Sequence, residues 1–370
     1  MLKKSLYKLT ILVTTILLIS TYPTSAKISE YQPGKKFILL SIDGGGVRGI
    51  IPSMILAEIE RKTNTPICQM TDMIAGNSTG AIIALALATP SDTNKSKNKY
   101  TANDLVDLYQ NQSKKIFHKS LWQNIKTGCN LWGPKYDRTY LDNILKQKFG
   151  NTTLSEAVSD VVILSYGLES GEGRVWSSRI ARKKKRNDFF MKDIAAASSA
   201  APTYFSPVVI SNTQGNFCRK NDYKILKKCT HVDGGVFANN PSIVAAAAVL
   251  QANPSMNRSD LIIISLGTGK LEGNHPTNVK NKGIIGWIKN INIIDLILNA
   301  SEDVSEWATT AFGIKTYRLQ PTLDAHESAM DNTSDKNLYN LMIKTQEYIR
   351  ENYDLIHEVC NILKDNTKSI

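Results

Sequence analysis

The sequence predicts an α/β fold, with a central, mostly parallel sheet covered by helices. Three observations predict it. Short apolar runs alternate with helical segments from Lys36 to Thr89, the signature of strands and helices taking turns along the chain. The first two of these runs end in Gly-bearing turns. In addition, 42% of the 370 residues are hydrophobic, enough for a large packed core and too many for a disordered chain. No internal repeat, collagen-like period or coiled-coil heptad run interrupts this pattern.

The elements follow in order. Lys36–Ile42 is an apolar run that reads as a buried strand ending in Asp43-Gly44-Gly45-Gly46. Ile50–Arg61 carries apolar residues at Ile51, Met54, Ile55 and Ile59, which suits a helix. Asp72–Ala75 is a second short strand, and the Ala- and Leu-rich Thr79–Thr89 is helical. Ser91–Asn151 is polar and helix-rich, consistent with an insertion over the sheet. Asp160–Leu164 and Leu261–Leu266 read as further strands. Met191–Ala201 and Pro241–Ala252 read as helices between them, and Ser334–Leu363 as a long helix, unbroken or broken once. Nothing marks a clean boundary, so residues 27–370 read as one domain, with a core of about 36–313 and a helical C-terminal part at 314–370.

The first 26 residues read differently. Lys3, Lys4 and Lys8 precede the apolar stretch Leu9–Ile19, and Thr24-Ser25-Ala26 forms a small-residue cleavage signal. This is the architecture of a secretory signal peptide, and the stretch falls short of the roughly 20 residues a membrane span needs. Cleavage after Ala26 removes three Lys and no acid, taking the formal charge from +12 to +9. The reading is therefore of an exported protein. Its five Cys (68, 129, 218, 229 and 360) are too few for a disulfide scaffold, and an odd count leaves at least one thiol unpaired. Cys218 and Cys229 are the best-placed pair, with five free thiols as the alternative.

Three motifs carry chemistry. Gly76-Asn77-Ser78-Thr79-Gly80 fits G-x-S-x-G between a strand and a helix, where a Ser on a sharp turn exposes its hydroxyl as a nucleophile. The alternative is a tight turn whose Ser caps the helix. Asp43-Gly44-Gly45-Gly46-Val47-Arg48-Gly49 also matches G-x-G-x-x-G, the dinucleotide-binding pattern. That pattern expects an acid at the end of the next strand, and here the next strand runs into Ser78 instead. The other reading is an oxyanion hole, since successive Gly N–H groups can approach a substrate closely and meet a developing negative charge. The third motif is Asp233-Gly234-Gly235, after a short Thr230–Asp233 strand and before Asn239-Asn240-Pro241. A Ser hydrolase ordinarily uses a His base. None of His118, His231, His275, His326 and His357 follows a clear acid partner, although His326 lies in a polar stretch and His231 shares a strand face with Asp233.

Taken together, these motifs resemble the patatin family of lipid acyl hydrolases, in which a DGGGxRG loop, a GxSxG elbow and a DGG or DGA motif occur in this order. Ile50-Ile51-Pro52, Ala197–Phe205 and Ser265–Gly269 also look like segments of that family. The similarity covers about Lys36–Gly313. It implies a three-layer α/β/α fold with Ser78 on the nucleophile elbow and a catalytic dyad in place of a triad. Ser78 would be the nucleophile and Asp233 the general base. Gly44, Gly45 and Gly46 would form the oxyanion hole, with Arg48, Gly49, Gly76, Gly80, Gly234 and Gly235 in support. Arg48 would steer a phosphate or brace the loop. Asn77 departs from the Thr often found in patatins, at a variable position of the motif.

The resemblance points to a phospholipase A type activity on membrane phospholipids or glycolipids, in lipid degradation. A general carboxylesterase and a catalytically idle storage or binding protein are the alternatives. No D-x-[DN]-x-[DN]-G loop is visible, so neither metal nor other cofactor is expected. The positive charge and the basic run Arg179–Arg186 suit an anionic membrane surface, with a solvated loop as the plainer reading of that run. No nucleic-acid motif accompanies it. Gly283–Leu298, with Trp287, reads as a buried helix or as a lipid-facing wall.

Overall fold

The computed structural model describes residues 33–118, 133–215, 219–221, 224–225, 229–271, 293–324 and 326–367. An eight-stranded sheet forms its centre. Its strands are β1 (Phe37–Ile42), β2 (Met73–Gly76), β3 (Asp160–Gly167), β4 (Glu172–Ser177), β5 (Val208–Val209), β6 (Thr230–Asp233), β7 (Leu261–Leu266) and β8 (Lys315–Leu319). Five of them, in the order β8-β7-β1-β2-β3, are parallel. The C-terminal ends of β1, β2 and β7 lie level, with Ile42 opposite both Gly76 and Leu266. Loops at such ends are where an open α/β sheet gathers its functional groups.

Alternate residues of β1 feed two cores. Ile38, Leu40 and Ile42 join one, with Ile74 and Ile163. Phe37 and Leu39 join the other, with Met73, Ala75 and Leu164. The first is covered by helices α1 (Ile50–Thr63), α2 (Thr79–Leu87), α3 (Ala102–Ile116), α4 (Thr139–Phe149), α5 (Met191–Ser198) and α9 (Tyr353–Asp365). The second is covered by α6 (Ser242–Ala252). Strands buried on both faces are near-continuously apolar, which is why Phe37–Ile42 and Leu261–Leu266 stood out in the sequence.

The antiparallel strands bring the motifs together. β4 pairs along β3 from Val162 to Gly167 and so occupies one edge of that strand. β2 and β6 must therefore share the other edge. β2 ends with Gly76 opposite Ile163, and β6 comes back antiparallel to end with Asp233 opposite Ser165.

The structure departs from the sequence reading in several places. The part from 314 onward is not wholly helical, because Lys315–Leu319 adds an edge strand beside β7. Its Lys-Thr-Tyr-Arg-Leu is buried only at alternate residues, so it lacks the apolar run of a central strand. The helical remainder breaks at Asn352, between α8 (Asp335–Glu351) and α9. Helix α7 (Ile293–Ala311) covers part of the apolar stretch, while Gly283–Asn292 with Trp287 lies outside the described residues.

The basic run is not a solvated loop throughout. Ser178–Lys183 is helical, Arg179 is buried, and both Arg179 and Arg182 pair with Asp160. Cys229 is disulfide-bonded, Cys68 and Cys360 are buried and in no disulfide, and Cys129 and Cys218 lie outside the described residues. So does the whole of Met1–Ala26. Among the described residues, no helix is long and apolar enough to cross a membrane.

Candidate active site

The turn between β2 and α2 is strained at one residue. Ser78 has φ 52° and ψ −120°, and a non-glycine residue with positive φ marks stored strain. Gly76 and Gly80 make the turn possible by their lack of side chains. A Cβ on Gly76 would lie 2.2 Å from the Gly80 carbonyl oxygen, and one on Gly80 would lie 2.1 Å from the Ile42 carbonyl oxygen. The end of α5 grips the turn from the side. Ser78 N–H donates to Ser198 Oγ at 2.9 Å, and Ser199 Oγ donates to the Ser78 carbonyl at 3.3 Å. On the far side the hydroxyls of Thr79 and Tyr109 are hydrogen-bonded, and Gly49 packs against both.

Asp233 is 4% exposed at the end of β6. Its Oδ1 accepts from Gly235 N–H at 2.8 Å and from Asn77 Nδ2 at 3.1 Å, and the Ser78 side chain lies near enough to favour the ionised carboxylate. Burial pushes this carboxyl up to about 6, while Ser78, Gly235 and Asn77 hold it back. Gly234 leaves room for Asn77, whose Oδ1 would sit 2.5 Å from a Cβ there.

The glycine loop after β1 is clamped on several sides. Gly44 N–H donates to the Asn239 carbonyl at 3.2 Å, and the Gly44 carbonyl accepts from Thr268 Oγ1 at 2.8 Å. Val47 N–H donates to the Met330 carbonyl at 2.8 Å. Arg48 is buried, with Nε 3.4 Å from the Gly45 carbonyl and Nη1 3.4 Å from that of Gly269, so it braces the loop. The N–H groups of Gly45 and Gly46 have no acceptor among the described residues. Of the three glycines, Gly44 therefore has its donor engaged, and Gly45 and Gly46 have theirs open.

A cleft with about 530 Å³ of empty space, part of it open to solvent, lies beside Ser78. Ile82, Ile116, Phe117, Leu141, Tyr204 and Phe205 line it, with Gly46 and Met330 at the loop side. Such a wall matches an apolar ligand.

Among the described residues, no histidine is bonded to Ser78. His118, His326 and His357 are exposed, and His275 lies outside the described residues. His231 is buried in a structural chain. Trp176 Nε1 donates to Ser165 Oγ at 2.8 Å, and Ser165 Oγ lies 2.9 Å from His231 Nδ1. His231 Nε2 faces Cys229 Sγ at 3.0 Å. Burial holds the imidazole down at about 4, so it is neutral. Asp324, His326 and Glu327 converge at the surface, and there Lys344 Nζ lies 2.9 Å from Asp324 and 3.4 Å from Glu327.

Several residues of the site had no role in the sequence reading. Asn77 looked like a variable filler, yet it holds Asp233. Ser198, Ser199 and Thr268 fall in segments noticed only as likeness, and Asn239 in one noted only as following the Asp233 motif, yet each bonds the loop or the elbow. Arg318 Nη2 lies 2.6 Å from Asp43 Oδ2, and no motif marked it.

Comparison with known proteins gives a consistent picture. A family model described as patatin-like phospholipase matches residues 40–246. Patatin-like protein 2 of Oryza sativa subsp. indica is 32% identical over 312 residues, covering 76% of this chain and 74% of that one. Patatin-like protein 1 of Arabidopsis thaliana is 32% identical over 342 residues, covering 83% and 80%. A Solanum tuberosum protein named probable inactive patatin-3-Kuras 1 is 31% identical over 252 residues, covering 64% and 63%.

Proposed function

Because the chain belongs to the patatin-like phospholipase family, we propose that it is an exported serine lipid acyl hydrolase of the phospholipase A type. The observation that carries this reading is the Ser78 hydroxyl, held on a strained turn, beside the buried Asp233 carboxylate and facing an apolar cavity. A storage protein without activity has no need of that conjunction.

In the proposed reaction Ser78 Oγ attacks the ester carbonyl carbon, and its proton passes to Asp233. The developing oxyanion accepts from the N–H groups of Gly45 and Gly46, while Gly44 holds the loop through Asn239. The tetrahedral adduct collapses, the C–O bond to the alcohol breaks, and Asp233 returns the proton to the leaving oxygen. The acyl chain, now esterified to Ser78, lies along the cavity wall. Water, deprotonated by Asp233, then attacks the acyl-serine; the acyl C–Oγ bond breaks, Asp233 returns the proton to Ser78 Oγ, and the fatty acid is released. A carboxyl near 6 suits both halves, since it is ionised at neutral pH yet basic enough to accept a proton. Every step uses groups of the chain and water, so the reaction proceeds without a metal.

The export reading rests on Met1–Ala26, and the anionic-surface reading on the mature charge of +9. Protein from Lys27 onward, incubated with phosphatidylcholine vesicles and EDTA, tests the function. Free fatty acid that is absent with Ser78→Ala is the expected result. Release that persists in Ser78→Ala, or that needs Ca²⁺, would refute it. Hydrolysis of soluble esters with none of vesicles would favour the general carboxylesterase. No release and no fluorophosphonate label on Ser78 would favour the idle protein.

A further inference from the structure

Two carboxylates and two amides form a buried chain behind the site. Asn77 Nδ2 donates to Asp233 Oδ1 at 3.1 Å and to Asn239 Oδ1 at 3.3 Å. Asn239 Nδ2 donates to Glu302 Oε1 at 2.6 Å and to the Gly44 carbonyl at 3.3 Å. All four side chains are buried, so water cannot stand in for any of them. Each amide presents a donor end and an acceptor end, and a half turn would exchange them. An ionised carboxylate only accepts. Glu302 therefore decides which way Asn239 faces, and Asn239 with Asp233 decides which way Asn77 faces.

We propose that Glu302 is a positioning residue: through Asn239 it sets the Gly44 carbonyl of the oxyanion loop and the amide that holds Asp233. The proposal rests on the roles given to Ser78 and Asp233 above. Glu302 is not part of the cavity lining and comes from α7, beyond the residues 40–246 that the family model matches. A turned Asn239 would point its oxygen at Glu302 Oε1 and the Gly44 carbonyl, three acceptors with no hydrogen among them. The loop and Asp233 would then lose a common reference.

Reach and charge separate in two variants. Glu302→Gln keeps the length and still offers an oxygen to Asn239. Glu302→Asp keeps the charge near Arg318 but withdraws the carboxylate by one methylene. Arg318 retains Asp43 at 2.6 Å and Glu306 at 2.8 Å in both, so the ion cluster survives. The full mature chain is assayed for kcat and KM on p-nitrophenyl butyrate and for the rate of Ser78 labelling by a fluorophosphonate. Thermal melts and Asp233→Asn run beside it.

Glu302→Asp is expected to lower kcat and the labelling rate by about 10- to 100-fold, the scale of a misplaced catalytic group, with KM within about twofold. Glu302→Gln is expected to stay about tenfold above it. Wild-type kcat in Glu302→Asp, or the two variants in the opposite order, would overturn the proposal. If Glu302→Asp melts below the assay temperature, Asn239→Ser carries the same expectation, and wild-type kcat there is equally fatal. Should Asp233→Asn keep wild-type kcat, the dyad itself fails. Should Asp233→Asn be inactive while Glu302→Asp is not, only the positioning role falls.

Discussion

Ser78 and Asp233 meet along one edge of a single strand. Gly76, two positions before Ser78, lies opposite Ile163 of β3, and Asp233 lies opposite Ser165 of the same strand. β2 runs parallel to β3 and β6 runs antiparallel, so the two chain ends approach one another head-on. The site is built by two strands sharing one neighbour.

The pH dependence of hydrolysis should follow Asp233. Its carboxyl must be ionised to accept the Ser78 proton, and burial sets it at about 6. A profile of kcat/KM, which reports groups of the free enzyme, should rise through about pH 6 and level off above. Asp233→Asn should lose that limb and lower the rate by about 10² to 10⁴, the worth of general-base catalysis.

Stability should run the other way. A carboxyl raised in the fold from 3.8 to about 6 takes up a proton that the unfolded chain does not, across that interval. Asp233 therefore favours folding more as pH falls from about 6 to about 4, and holding it ionised at neutral pH costs about 3 kcal/mol. Asp233→Asn removes that cost, so it should melt higher than wild type at pH 8 while being nearly inactive. A melt at or below the wild-type temperature would contradict the burial argument.

Asn77 should tune the same titration. Its amide bond favours the ionised form of Asp233. Asn77→Ala removes that support, so the acid limb should move to higher pH. An unmoved limb would mean that Asn77 only fills space.

Gly80→Ala should destabilise severely. Its Cβ would press on the backbone oxygens of Ile42 and Asp43, at 2.1 and 2.7 Å, and neither is free to swing away. Overpacking of this kind costs about 3 kcal/mol, or about 4 °C in Tm for a domain of this size. Gly150→Ala is the contrast, with nothing within 4 Å of its Cβ and a φ of +54°. It should cost only about 1 kcal/mol.

The cavity should set chain-length preference. Ile82 lines it one turn after Ser78, so Ile82→Phe shortens the space open to an acyl chain. The ratio of kcat/KM for long-chain over short-chain p-nitrophenyl esters should fall about tenfold or more, the worth of one or two methylene contacts. An unchanged ratio would place the acyl chain elsewhere.

The sequence by itself determined what depends on near neighbours. The apolar runs of β1, β2 and β7, the Gly-flanked elbow, the glycine loop and the break-prone C-terminal helix pair were all legible, because strand burial and tight turns constrain residues a few positions apart. The likeness to patatins also rested on such short segments. The tertiary structure alone decided the rest. Nothing local marks Asn77 as a partner of Asp233, Glu302 as a partner of Asn239 or Arg318 as a partner of Asp43, since these bonds join residues 156, 63 and 275 positions apart. Lys315–Leu319 was missed because an edge strand buries only alternate residues and leaves no apolar run. Which glycine donors stay open was equally invisible, because Gly44 is engaged by a carbonyl from beyond β6. Side-chain chemistry is written in the chain, but the company each group keeps is set by how the strands pair.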